Sequence, residues 1–588
     1  MLDKRHASFM RSLARGEIEE EILLPFPEPR RVEREPLSAV LATVGALLGG
    51  QESRSTAGDP AGSPPPAFLG ALREAGLLGL VVPEDRGGVG LSAFAHARVL
   101  QEVARFDASV ALTLGAHGVG VRGLLLFGTE EQKARYLPRL ATGELVAASC
   151  LAERDAGQDP TALTTTAVPD GDGWRLRGEK TRIPGGSAAS LFLVLARTGT
   201  SEGSPRRARL TAFLVGRDRA GVRAAPAGGE VDRGAATLEL TDVRVSPADV
   251  LGEEGQGLPV ALRLLGASRF SVGASAVGVT KRIIRLAAGD AMARRRLGRA
   301  ISPTSADQGL LRQKLARMAV DCFAAESVVN LVAGLSDRGF EDTAVEAAAC
   351  RVLATEGGWR TADEALQLAG GDGPGHALPF ERALREASVH RLLDGTNDAL
   401  RIFLALTAVG GAATELRDVA ASVRGVLAAP ARELGVLSAY ARRRAALHAP
   451  GLPGGLRPKA RFTQAHPALA TEAAPLEEAA RALALAVDRA LRRHGRGLPE
   501  AQPVLRRLAD VLIDLLAHAA ALARVSTRID DRGEAAAAPE RDLLRSLTAG
   551  ARRRVLANLG ALDDHDDPAL EAVAARVLER EGYGWDGE

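Results

Sequence analysis

Between Ala147 and Gly252 the chain changes texture, and this change limits the possible folds more than any other feature. On either side, apolar and small residues recur at helical spacing over long stretches. Inside the window the segments TTTAVPDGDGWRLRGEKTRI, LFLVLART, RLTAFLVG, GVRAA and ATLELTDVRV are short, often alternate, and are cut by glycine, proline and aspartate. Such runs predict an antiparallel β domain of roughly 100 residues. The predicted order is a helical domain over 1–146, the β domain over 147–252, a helical bundle over 253–410 and an additional helical domain over 411–588. Aromatic residues supply only 3% of the 588 residues, so close-packed helices with small contact faces must carry most of the core.

Local signals fill in this outline. Helices are predicted over 31–50 and 67–82, followed by a turn or loop at PEDRGGVG, Pro83 to Gly90, which is too rich in glycine for a helix interior. Ser92–Phe106 is helical, and Thr129 with Gln132 three residues on forms a helix cap. Near-continuous helical periods from Leu258 to about Gly410 predict an antiparallel bundle. Farther on, HAPGLPGGLRPKARF reads as an exposed connector, and DPALEAVAARVLEREGYGWDGE as a short docking helix.

Several classes of function are disfavoured. Lys+Arg number 75 against 73 Asp+Glu, a formal charge of +2, which gives no electrostatic case for nucleic acid. Cys150, Cys322 and Cys350 form no close pair, so a reducing compartment is expected, with neither a disulfide framework nor a metal site. The start, MLDKRHASFMRSLARGEIEEEILLPFPEP, lacks the apolar core of a signal peptide, and no run of 18 residues escapes charge or repeated interruption. A cytoplasmic protein without a transmembrane span is expected. GGVG and GGDGPG lack the strand-then-helix setting of a dinucleotide fingerprint.

PEDRGGVG, TLGAHGVGVRGLLLFGTEEQKARYLPRLATGE, SRFSVGASAVG, LLRQKLARM, ALQLAGG, PFERALRE and DGTNDALRIFLAL resemble the acyl-CoA dehydrogenase family. Within it they are most similar to the very-long-chain and complex-I-assembly branch, whose added C-terminal helical domain resembles QPVLRRLADVLIDLLAHAAALARVSTRI. The resemblance implies a mainly α fold with a central β domain plus that extra domain. It also implies FAD as cofactor, an acyl-CoA thioester as substrate, a homodimer, and an electron-transfer flavoprotein as acceptor. In this family a glutamate takes the α proton while the β hydrogen leaves as hydride to the flavin.

Carried over residue by residue, the resemblance places Asp394 at the base, one methylene shorter than glutamate. A shift of about 1 Å in a reacting group can cost on the order of 100-fold in rate. In CLAERDAGQD, Leu151 and Ala152 stand at the flavin, with Ala152 where the family has threonine, and Gln158 stands where a serine meets the acyl-CoA. Arg182 replaces a tryptophan that shields the ring, and Pro184 replaces a hydroxyl residue near its N5. Arg294 and Gln308, with Gln367, Gly370 and Gly371, match the segments that complete FAD across a dimer, while Thr396 and Asn397 retain polar groups near the cofactor. Arg269 and Gly395 are the remaining substrate-side positions, and a helix-surface salt bridge accounts for Arg269 equally well.

Two functions therefore compete. One is an FAD-dependent dehydrogenase of a long-chain acyl-CoA, attenuated by its short base and altered flavin pocket. The other is a silent binding or assembly protein of the same shape. Peripheral membrane contact through Gly454–Arg461 and the basic face at Arg492–Arg496 is weaker than a plain exposed-linker reading.

Overall fold

The computed structural model describes residues 7–49, 66–154, 162–201, 204–227, 234–293, 295–296, 299–300, 309–372, 380–393, 395–425, 440, 461–583 and 585. Seven helices come first: α1 (Phe9–Leu13), α2 (Glu20–Leu23), α3 (Arg34–Gly49), α4 (Pro66–Glu74), α5 (Ala93–Ala104), α6 (Ala108–Phe127) and α7 (Glu130–Ala141). Helix α4 ends at Glu74 rather than at residue 82, because Gly76 turns the chain at φ 69°. Ser92 caps α5 through the amide of Ala95, and Thr129 and Gln132 form a reciprocal capping box on α7.

Eight strands follow: β1 (Ala147–Cys150), β2 (Thr166–Asp170), β3 (Gly173–Ile183), β4 (Leu191–Ser201), β5 (Ser204–Gly216), β6 (Val222–Pro226), β7 (Ala236–Val245) and β8 (Val250–Leu251). They build one sheet in the order β6-β7-β3-β2-β4-β5-β8, with β1 on β4. The sheet is mixed, which corrects the antiparallel expectation, because β1 and β2 both pair parallel to β4. The strand β1 follows α7 and enters the sheet beside the interior strand β4, bringing the segment after Cys150 against the end of β3.

The bundle comprises α8 (Gly257–Ala293), α9 (Gly309–Asp337), α10 (Ala344–Ala369), α11 (Phe380–His390) and α12 (Asn397–Gly425). The C-terminal region holds α13 (Ala470–His494), α14 (Gln502–Arg532), α15 (Glu534–Gly560) and α16 (Asp567–Glu579). One continuous apolar core runs from Phe9 through the bundle to Leu562, so the C-terminal helices are packed into the molecule rather than tethered to it. Charge crosses the same boundary. Glu326 on α9 accepts from Arg98 at 2.5 Å, Lys281 at 2.5 Å and Arg524 at 3.0 Å, joining α5, α8, α9 and α14. Helix α16 is the exception, with no buried residue; Arg507 holds its first turn by a two-pronged pair with Asp567 at 2.7 and 2.6 Å.

Among the described residues four helices are long and apolar enough to cross a membrane, although the sequence predicts none. They are Ala108–Phe127, Gly257–Ala293, Gly309–Asp337 and Asn397–Asp418. Their apolar windows are 67%, 72%, 89% and 35% buried, so packing against protein accounts for most of the apolarity of the first three. The connector at 448–460 lies outside the described residues.

Candidate active site

Helices α6 and α8 pack closely because small residues line their seam. A Cβ on Gly123 would stand 3.1 Å from Leu264 Cδ2 of α8 and 2.8 Å from Leu193 Cδ2 of β4, too near for a larger residue without displacement. Toward the other end of the seam lies a small cavity of about 30 Å³, bordered by Gly115 and Ala116 of α6, Ser268 and Ser271 of α8, Ser149 of β1, and Leu151 and Pro184. Its rim thus brings together two of the residues expected at the flavin, Leu151 just after β1 and Pro184 just after β3. The Ser271 hydroxyl is spent on the Ala267 carbonyl at 2.9 Å. The Ser149 hydroxyl is buried without a partner, which makes it the polar group here best placed to accept a ligand.

A buried ion pair fixes this rim. Lys180 is fully buried and donates to Glu153 Oε1 at 2.8 Å. Glu153 also accepts from the Thr164 amide and hydroxyl, each at 2.6 Å, and from the Thr165 amide at 3.0 Å. Burial alone would raise this carboxyl, but Lys180 and the threonine donors bring it down to about 2. The Thr181 amide then donates to the Ala152 carbonyl at 3.0 Å, so the segment after β1 and the end of β3 are laid side by side. Arg182 is exposed at this junction.

The loop leading into α12 is held differently. Arg351, wholly buried on α10, donates to the carbonyls of His390 at 3.3 Å and Gly395 at 2.7 Å. Asn397 donates to the Thr355 hydroxyl at 2.9 Å and to Glu356 at 3.0 Å. Burial would raise the Glu356 carboxyl, but the Asn397 amide, Arg391 and Arg401 hold it below its ordinary range. Burial, with Arg351 nearby, pushes His390 down to about 4. Thr396 accepts from the Ala399 amide and caps α12. The expected base, Asp394, lies outside the described residues between these anchors, as do Gln158, Arg294 and Gln308.

Other expected residues fall elsewhere. Arg269 is buried, which corrects the expected helix-surface location; it donates to the Ala344 carbonyl at 3.4 Å and stacks 4.9 Å over Phe403. Gln367 is exposed on the last turn of α10, between Asp363 and Lys314, and Gly370 ends that helix at φ 63°, with Gly371 in the turn that follows. The Asn397 side-chain N–H groups are committed to α10, while its Oδ1 is buried without a partner. Sequence reasoning missed Arg351, Glu356 and Ser149; a lone arginine inside the small-residue run ACRVLATEGG was the one available signal. A larger cleft of about 560 Å³ opens between the bundle and α14–α15, but none of the expected residues lines it and its carboxylates are paired, as in Arg360–Asp321 and Arg554–Asp514.

For the flavin, the described rim offers an unpartnered buried hydroxyl and apolar edges, with the exposed Arg182 two residues along the chain from Pro184, a set that fits the polar edge of a flat aromatic ring. Comparison with known proteins agrees. Family models described as acyl-CoA dehydrogenase N-terminal, middle and C-terminal domains match residues 53–144, 148–243 and 255–409. A model described as the ACAD9/ACADV C-terminal domain matches 467–583. The human very long-chain specific acyl-CoA dehydrogenase, mitochondrial, is 34% identical over 526 residues, covering 87% of this chain and 78% of that protein. Probable acyl-CoA dehydrogenase FadE10 of Mycobacterium tuberculosis (strain ATCC 25618 / H37Rv) is 30% identical over 601 residues, 98% of this chain and 89% of the relative. An acyl-CoA dehydrogenase from Bacillus anthracis, solved in complex with FAD, has a TM-score of 0.72 at 25% identity and covers 98% of this chain and all of that one. The chain belongs to the acyl-CoA dehydrogenase family, in the form that carries the additional C-terminal helical domain.

Proposed function

We propose that this protein uses FAD to oxidise an acyl-CoA thioester between its α and β carbons. The observation that carries the reading is the rim itself: Leu151 and Pro184, from two separate flavin-facing strings, border one cavity together with the unpartnered Ser149 hydroxyl. When bound, FAD supplies the acceptor for the β hydrogen as hydride. The chain's own part is to bind, orient and deprotonate. Asp394 takes the α proton onto its carboxylate, and the anchors at His390, Gly395 and Asn397 fix the backbone on either side of it. Leu151 and Pro184 keep water from the reacting carbons, Ala152 and Arg182 face the flavin, and Arg269 and Gly395 lie on the substrate side with Gln158.

The turnover is slow, because aspartate reaches less far than glutamate and Pro184 offers no donor to the flavin. A long acyl chain is the preferred substrate, in keeping with the name of the human relative. The adenosine half of FAD is completed by Arg294, Gln308, Gln367, Gly370 and Gly371 of a second copy, which makes the working unit a homodimer. Thr396 and Asn397 support the same cofactor from the start of α12. An electron-transfer flavoprotein takes the electrons, and the protein works in the cytoplasm with at most peripheral membrane contact.

Absorbance of the purified protein tests the reading, followed by anaerobic addition of acyl-CoAs of graded length. Flavin bands that bleach with long-chain thioesters are expected. A protein that takes up no FAD would turn the reading to the silent, assembly-type alternative.

A further inference from the structure

Among the described residues, only Arg182, Asp242 and Glu581 adopt positive φ without being glycine, and Arg182 does so at 51°. A side chain avoids this region unless its surroundings hold it there, and such outliers gather at functional sites. The surroundings of Arg182 do hold it. Lys180, two residues earlier, is locked onto Glu153, and Thr181 is bonded to Ala152. Ile183 is buried and pairs with Ala236 of β7. Between Lys180 and Ile183 the register of β3 on β7 slips. The bulge turns Arg182 out of the sheet while the residues at its two ends stay buried, and Pro184 reaches the cavity two positions later. A buried ion pair, a register slip and a strained residue thus combine to hold an exposed arginine two residues from the rim residue Pro184.

We infer that Arg182 is a tuning residue for the flavin, its guanidinium meeting the polar edge of the ring and favouring the ring's reduced form. This rests on the FAD reading above. A guanidinium keeps its proton at any working pH. It therefore stabilises the negative charge that the ring gains when two electrons arrive with a single proton, and charge near the ring is one of the means by which a protein sets flavin electronics.

The test uses the full chain loaded with FAD, with the flavin's reduction equilibrium measured against a reference dye under anaerobic conditions. Arg182→Gln should disfavour reduction about tenfold, a fall of about 30 mV for a two-electron couple. Arg182→Lys should stay within about threefold of the parent, since it keeps the charge. FAD affinity, read by flavin fluorescence, and the melting temperature serve as controls that a merely structural role would move instead. Loss of FAD from the Gln variant but not from the Lys variant also supports the contact. Equal equilibria in the parent and the Gln variant, with FAD bound in both, overturn the inference and leave the FAD reading standing. Loss of FAD from both folded variants likewise overturns a role for the charge. A parent protein that binds no FAD removes both.

Discussion

In the β region a buried carboxylate, Glu153, gathers donors from Lys180, Thr164 and Thr165; in the bundle a buried guanidinium, Arg351, donates to the carbonyls of His390 and Gly395. The first arrangement is an ion pair in which each charge depends on the other. The second sets a charge against peptide dipoles, which are neutral whether or not the cation is present. The ion pair should therefore be the more brittle of the two, because losing one partner strands a charge without water. The carbonyl clamp should fail more gently. Both fix backbone rather than touch a reacting atom, so neither should rival Asp394 in its effect on turnover.

The largest expected effect lies between the bundle-side anchors. Asp394→Asn should abolish anaerobic bleaching by acyl-CoA while leaving FAD bound, and Asp394→Glu should raise the rate. Unchanged dehydrogenation in the Asn variant would exclude this residue as the base. Next comes Lys180→Met, which strands Glu153 and should lower unfolding free energy by about 3–5 kcal/mol in urea titrations. Adding Glu153→Met should restore much of that loss; a double variant no better than the single would show that the ion pair is not the source. Arg351→Gln should cost about 1–3 kcal/mol by leaving carbonyls short of a donor, with Arg351→Lys milder. A loss as large as that of Lys180→Met would erase the proposed contrast.

Acid should separate the two sides with the smallest effect. His390 is held neutral at about 4 against an ordinary 6.5, so protonation favours the unfolded chain. The stability from its neutral form is complete above pH 6.5 and is lost as pH falls toward 4. Glu153, depressed to about 2 from 4.5, contributes fully above pH 4.5 and loses its contribution only between 4.5 and 2. At pH 5.5, of these two groups only His390 should lose part of its contribution, about 1 kcal/mol, while Glu153 keeps its own. Denaturation of the parent and of His390→Gln at pH 7 and 5.5 measures it; an equal pH dependence in both would remove His390 from the account.

The wider fold shows a similar division. The order of helices, sheet and bundle was legible because periodicity of 3.6 or 2 is a local property of the chain. So were the Ser92 and Thr129 caps, which need only neighbours in sequence. The parallel pairing of β1 and β2 with β4 was not legible, since alternation fixes which face a strand buries but not its direction beside another strand. Helix α4 ended early for a reason visible only afterwards, when Gly76 adopted a left-handed turn.

For the site, the sequence by itself determined the candidate positions and the chemistry each could offer: a carboxylate at 394, a guanidinium at 182, no hydroxyl at 152 or 184. Tertiary structure decided which of them meet. It put Leu151 and Pro184 on one cavity, buried Arg269, turned Asn397 toward Glu356, and aligned Ala152 with Thr181. It also supplied Arg351 and Ser149, which no motif marked. Their importance comes from burial and from which partners they find or lack, and both depend on residues distant in sequence being packed together.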